Sequence, residues 1–156
     1  MTRDEQISQL HKVHQDFVKV VLSMSEERFL SSLGDWAPRD IVAHLIGWNR
    51  NIRVGCEQIR TGVSPFYHFD GPNDYRSENA KSIARYSSRE RKALLDELAT
   101  SKDELVAYVT ELDEHDWNKD FGPQHYRGGP ATIARSIASL TGDYLGHTEE
   151  IIKGRK

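Results

Sequence analysis

His44, Asp143 and His147 are the side chains whose types and spacing could do chemistry. His44 lies within Trp36-Ala37-Pro38-Arg39-Asp40-Ile41-Val42-Ala43-His44-Leu45-Ile46-Gly47-Trp48, an apolar stretch that reads as a buried helix. Asp143 stands four residues before His147, so the two share one helical face about one turn apart. Two imidazoles and a carboxylate converging inside a helical bundle make a divalent-metal site, with coordination positions left for water or substrate. Such a donor set suits zinc, nickel, iron(II), manganese or cobalt without choosing among them.

Each residue has a plainer role beside the chemical one. A lone histidine on an apolar stripe is usually a core residue satisfied by one hydrogen bond. Asp143 alters that balance, because a buried aspartate is costly unless a cation pairs with it; its plainer role is a half-exposed partner for an arginine. His14 lies on the inward stripe of the first helix and reads first as a core histidine, then as an outer partner or substitute ligand of the site. Trp48, one turn after His44, is either core packing or a wall of a substrate pocket. Tyr144, beside Asp143, is a further pocket candidate. His68 and His125 fall in two long loops with Tyr67, Tyr75 and Tyr126, where they could reach a pocket mouth, although loop histidines are usually exposed.

The elements that must position these residues are helical almost throughout. Ile7, Leu10, His14, Phe17, Val21 and Met24 mark a first helix from about Arg3 to Met24, and Ser25 to Phe29 can add a short turn. Pro38 fits the first turn of a second helix, which carries Ile41, Leu45, Trp48, Ile52, Cys56 and Ile59 and ends at Gly62. Val63 to Tyr75 reads as loop, and Asn79 to Tyr86 as a short helix. Ser87-Ser88 offers an N-cap for a third helix with Leu94, Leu98, Leu105 and Val109. After a second long connection, Pro130 opens a fourth helix carrying Ile133, Ile137, Leu140, Tyr144, His147 and Ile151 to Gly154.

Position along the helices adds a constraint. His44 is near the start of its helix and His147 near the end of its own, so they meet only if those two helices are antiparallel. An up-down-up-down bundle would hold them far apart in height. An up-down-down-up order brings them together and needs a crossover between the second and third helices, where the chain has its long connection from Val63 to Tyr86. The expected architecture is therefore all-α, a single four-helix bundle domain over residues 1–156.

The run Gly34-Asp35-Trp36 through Asp40, His44 and Trp48 resembles the second-helix motif of the DinB-like superfamily of four-helix bundles. Asp143-Tyr144-Leu145-Gly146-His147-Thr148-Glu149-Glu150-Ile151 is similar to that family's last-helix segment, which has histidine where Asp143 stands here. The resemblance implies metal ligands at His44, position 143 and His147. It also implies relatives that include thiol-dependent transferases, a mycothiol-dependent maleylpyruvate isomerase and hydrolase-like proteins. A metal-dependent enzyme acting on a small electrophile follows as the expectation, by thiol transfer or hydrolysis, with a low-molecular-weight thiol as possible cofactor. His14 is then the one weak candidate for a general base. A resistance-type branch of similar bundles shares the wording His44 to Asn49 and implies a second expectation, a non-catalytic binder that sequesters a reactive compound. Such bundles often form homodimers.

The net charge is −3 and acidic and basic residues are mixed. From this we expect neither nucleic acid nor membrane as partner; the small-molecule substrate is what the resemblance implies. The single cysteine, Cys56, excludes an internal disulfide and a cysteine-rich zinc module. The first residues lack the apolar core of a signal peptide, and Ile41 to Trp48 is too short to span a bilayer, so a cytoplasmic location is expected.

Overall fold

The protein is described by a computed structural model covering residues 1–68 and 75–154. Among these residues the chain forms six α-helices: α1 (Arg3–Ser23), α2 (Glu26–Phe29), α3 (Pro38–Arg60), α4 (Tyr75–Tyr86), α5 (Arg91–Thr110) and α6 (Ile133–Lys153). A 3-10 turn lies at Glu114–Asp116, and no strand is present among the described residues beyond an isolated bridge between Gln124 and Pro130. Part of the loop expected over Val63 to Tyr75, residues 69–74, lies outside the described residues. No helix among the described residues is long and apolar enough to cross a membrane.

Local chemistry sets the helix ends. Thr2 and Glu5 form a reciprocal capping box at α1, with the Glu5 N–H donating to Thr2 Oγ1 at 3.1 Å. Ser25 caps α2. At α3, Asp40 accepts from the Ala37 N–H at 3.0 Å, which places a carboxylate at the positive end of the helix. Gly62 closes α3 with a φ of +79°, a conformation that costs glycine nothing. α6 begins at Ile133 rather than Pro130, because Thr132 caps it and Pro130 pairs with Gln124. α5 begins at Arg91, beyond the Ser87-Ser88 cap expected from the sequence, and Arg91 donates to the Val21 and Met24 carbonyls at the end of α1. α4 starts four residues before the expected Asn79.

α3 is the central element, packed against α4, α5 and α6, while α1 lies against α6. Leu10 and Phe17 of α1, Ile41 and Leu45 of α3, Leu98 of α5 and Ile137 of α6 are fully buried between them. Each such side chain contributes about 1.5–3 kcal/mol through lost contact with water. Polar contacts show which ends meet. Gln6 near the start of α1 donates to Ala134 O near the start of α6, at 3.0 Å. Arg50 pairs with Glu97 at 2.8 Å, and Glu57 further along α3 accepts from Tyr108 further along α5.

α4 lies very close to α3. A Cβ at Gly47 would come within 1.9 Å of Ser82 Oγ, so only glycine permits this approach. The approach carries Asn79 of α4 onto the face of α3 that holds His44.

Candidate metal centre

α3 presents His44 from its second turn, and α6 presents Asp143 and His147 from successive turns. His44 Nε2 stands 2.8 Å from Asp143 Oδ2, and His147 Nε2 stands 3.2 Å from Asp143 Oδ1. One atom from each of the three lies within 4.8 Å of the others, a spacing that one ion could bridge. His44 is buried, and Asp143 keeps 34% of its side-chain surface exposed, so the group is open on one side.

The outer hydrogen bonds decide what the inner atoms offer. The Trp48 indole N–H, which can only donate, points at Asn79 Oδ1 at 2.6 Å. That identifies the amide oxygen, so the His44 Nδ1–H must also donate to it, at 2.9 Å. The His147 Nδ1–H donates to Glu150 Oε2 at 2.9 Å. With both Nδ1 atoms committed as donors, each neutral ring turns an Nε2 lone pair toward Asp143. Three electron-rich groups then face one another, and only positive charge between them relieves the repulsion, as a proton on an imidazole or as a metal ion. Partners on the far nitrogen that fix ring orientation are the usual support of metal-bound histidine. The donor set fits a divalent cation.

The charge state agrees with this arrangement. Burial opposes ionisation of Asp143, but hydrogen bonds from His147 and His44 outweigh it and hold the carboxyl well below the ordinary range. Burial likewise works against a charged His147, but the hydrogen bond to Asp143, its charge, and then Glu150 outweigh it and raise the imidazole above its usual value.

The group opens into a cavity of about 510 Å³. Trp36 covers one side, with its ring 4.9 Å from that of His44 and 6.0 Å from that of His147. Trp48, Tyr67 and Tyr75 form an aromatic wall with edge-to-face spacings of 5.0 and 5.3 Å. Trp48 therefore lines the cavity while it also holds Asn79. His68 and His125, from the two long loops, line it as well.

Two other expected site residues do not. Tyr144 is fully buried and donates to Asn49 Oδ1 at 3.0 Å, on the side of α6 turned away from the cavity. His14 packs edge-on against Tyr144 at 5.9 Å and takes no part in the three-residue group. Burial, then the nearby Lys102 charge, lowers its pKa to about 4, so it stands as a neutral core histidine. Cys56 is buried and its thiol is pushed up to about 12, which leaves it a packing residue.

Asn79 and Glu150 are the partners that sequence reasoning missed. Glu150 had a readable signal, three residues after His147 on the same helix; Asn79 had none. Asn79→Ala is expected to leave the fold intact and weaken zinc binding about 10–100-fold, the usual cost of losing such a partner. Competition titration with a chromophoric chelator reads this, and unchanged affinity would show that the ring of His44 needs no lock.

Known proteins share this fold. The DinB superfamily model matches residues 9–151, and no curated protein matches the sequence. The mycothiol-dependent maleylpyruvate isomerase superposes with a TM-score of 0.76 at 16% identity, over 97% of this chain and 61% of that one, so this chain spans under two thirds of that enzyme. The colibactin self-resistance protein ClbS, solved in complex with a dsDNA, superposes at 0.78 with 20% identity, over 98% and 94% of the two chains. An uncharacterised protein from Escherichia coli UTI89 gives 0.75 at 20% identity, over 97% and 91%. At such identities the likeness is one of fold. It nevertheless corrects one expectation. The ClbS complex overturns the exclusion of nucleic acid as a partner. Net charge averages over local clusters, such as Arg85 and Arg89, each 5.3 Å from the Tyr86 ring, and local charge governs contact with phosphates. Matched over residues 9–151, the chain belongs to the DinB superfamily.

Proposed function

We propose that the protein is a metal-dependent enzyme that acts on a small electrophilic molecule, by transfer of a low-molecular-weight thiol or by hydrolysis. His44, Asp143 and His147 hold the ion. The observation that carries this reading is the convergence of both Nε2 atoms on one carboxylate, with both Nδ1 atoms already committed elsewhere. A divalent ion there supplies Lewis acidity, which brings a water or thiol toward deprotonation near neutral pH. The protein's own part is positional. Asn79 and Glu150 fix the two rings, Trp36 shields one side of the site, and the wall of Trp48, Tyr67 and Tyr75 keeps water from the bound substrate. The mycothiol dependence of the isomerase of like fold supports a thiol as the second reactant.

The same reading takes residues 1–156 as a single domain in which α1, α3, α5 and α6 form a four-helix bundle in up-down-down-up order. Its crossover runs from the end of α3 to the start of α5, and the parallel courses shown by Gln6–Ala134 for α1 with α6, and by Arg50–Glu97 and Glu57–Tyr108 for α3 with α5, support it. It also keeps the cytoplasmic location and the homodimer, the latter open to sedimentation.

A second reading, sequestration of a reactive compound without turnover, is favoured by the aromatic-lined cavity and the likeness to a self-resistance protein. Incubating zinc-, nickel- or manganese-loaded protein with 1-chloro-2,4-dinitrobenzene and a panel of thiols that includes mycothiol separates the two. The enzyme reading expects conjugation above the uncatalysed rate that His44→Ala abolishes. Tight binding of the electrophile at the background rate would favour sequestration.

A further inference from the structure

We infer that the cavity has a second recognition pole, away from His44 and Asp143, that binds the carboxylate or phosphate group of a small anionic molecule. The inference rests on the cavity being the substrate site, and not on an ion at the first pole.

The second pole is built where the two long loops meet. The rings of His68 and His125 lie 4.9 Å apart, and Tyr126 closes on Tyr75 at 5.4 Å. The Arg127 N–H donates to His125 Nδ1 at 3.1 Å, which makes Nδ1 the lone-pair nitrogen and leaves Nε2–H as a donor. His68 Nδ1 is buried without a hydrogen-bond partner among the described residues. A buried polar atom without a partner is costly, and a ligand in the cavity is one way to satisfy it. Arg127 is exposed, stacks its guanidinium on the Tyr126 ring at 5.4 Å, and forms no ion pair among the described residues. Arg135 adds a second positive charge close by, held by the Gly128 carbonyl at 2.6 Å.

Among the described residues the charge of this pole is one-sided. Burial lowers the pKa of both histidines, and the Arg135 charge lowers both further, to about 4 for His125. At neutral pH the pole therefore presents two uncharged imidazoles beside two guanidinium groups. Asp143 is the one carboxylate on the cavity wall among the described residues. Along α6 it lies seven residues from Ser136, also on the wall, which is roughly 10 Å of rise. Between the two poles run the faces of Trp48, Tyr67 and Tyr75. A planar or unsaturated body with an anionic group at one end, and a reactive centre directed at His44 and His147, matches this layout.

Benzoate, phenyl phosphate and uncharged benzamide are suitable probes, with binding read by quenching of tryptophan fluorescence and by calorimetry. Wild type is compared with Arg127→Gln, at an exposed position that does not threaten the fold, and with His44→Ala. We expect at least one of the two anions to bind about tenfold or more tighter than benzamide, the weight of one charge-assisted hydrogen bond. Arg127→Gln should remove that preference and His44→Ala should keep it. Preference for benzoate alone assigns a carboxylate, and for phenyl phosphate alone a phosphate. The proposal is overturned if neither anion is preferred, if Arg127→Gln leaves the preference unchanged, or if the preference is lost in His44→Ala. Metal content is not read in this experiment, so its failure leaves the metal assignment standing.

Discussion

Asn49→Leu is expected to lower the free energy of unfolding by about 3 kcal/mol. Asn49 is fully buried and ties three helices together. Its Nδ2 donates to Ser101 Oγ at 3.0 Å and to Leu98 O at 3.3 Å on α5, and its Oδ1 accepts from the Tyr144 hydroxyl on α6. Leucine keeps the volume and removes every one of these bonds. The Tyr144 hydroxyl then has no partner and no water, and an orphaned buried donor costs about 1–3 kcal/mol by itself. Adding Tyr144→Phe to the Asn49→Leu variant removes the orphan and should restore about 1–2 kcal/mol. Urea unfolding of the single and double variants beside wild type measures both effects. A single variant as stable as wild type would mean that the polar link carries no weight. The link bears on function because Tyr144 adjoins Asp143, so Asn49 sets how α6 sits against the helix that carries His44.

The helices were legible because their apolar residues recur at three- and four-residue spacing, and the chain is indeed helical. The His44, Asp143 and His147 cluster was anticipated from one local fact, the four-residue step from Asp143 to His147, and one global fact, the long connection after α3. Other features had no local trace. Asn79 reaches His44 across 35 residues only because Gly47 lets Ser82 and the rest of α4 come close. The meeting of His68 with His125 joins two loops whose conformations no periodicity describes. Asn49 stood in plain view beside Trp48, but a polar residue at the edge of an apolar run does not disclose whether partners wait for it. Tyr144 and His14 show the converse. Both lie on inward stripes, and both face the core rather than the cavity, because an inward stripe is wider than the strip that lines a pocket.

Asp143→Ala and His44→Ala should each weaken metal binding by more than about a hundredfold, beyond the cost of losing an outer partner. Each removes one of three ligands. Asp143→Ala also removes the negative charge that compensates a divalent ion in a partly buried site. Both should leave the fold intact. Alanine at 44 removes an imidazole that touches a cavity and not the main core. Alanine at 143 frees His147 from a partner that holds its pKa up, so that imidazole becomes neutral at lower pH and remains able to bind metal.

The most direct test is the metal content of purified wild type, His44→Ala and Asp143→Ala, each offered zinc, nickel, iron(II), manganese and cobalt and then desalted. About one ion per chain in wild type, and close to none in either variant, is the expected result. Equal and near-zero content in all three proteins would contradict it.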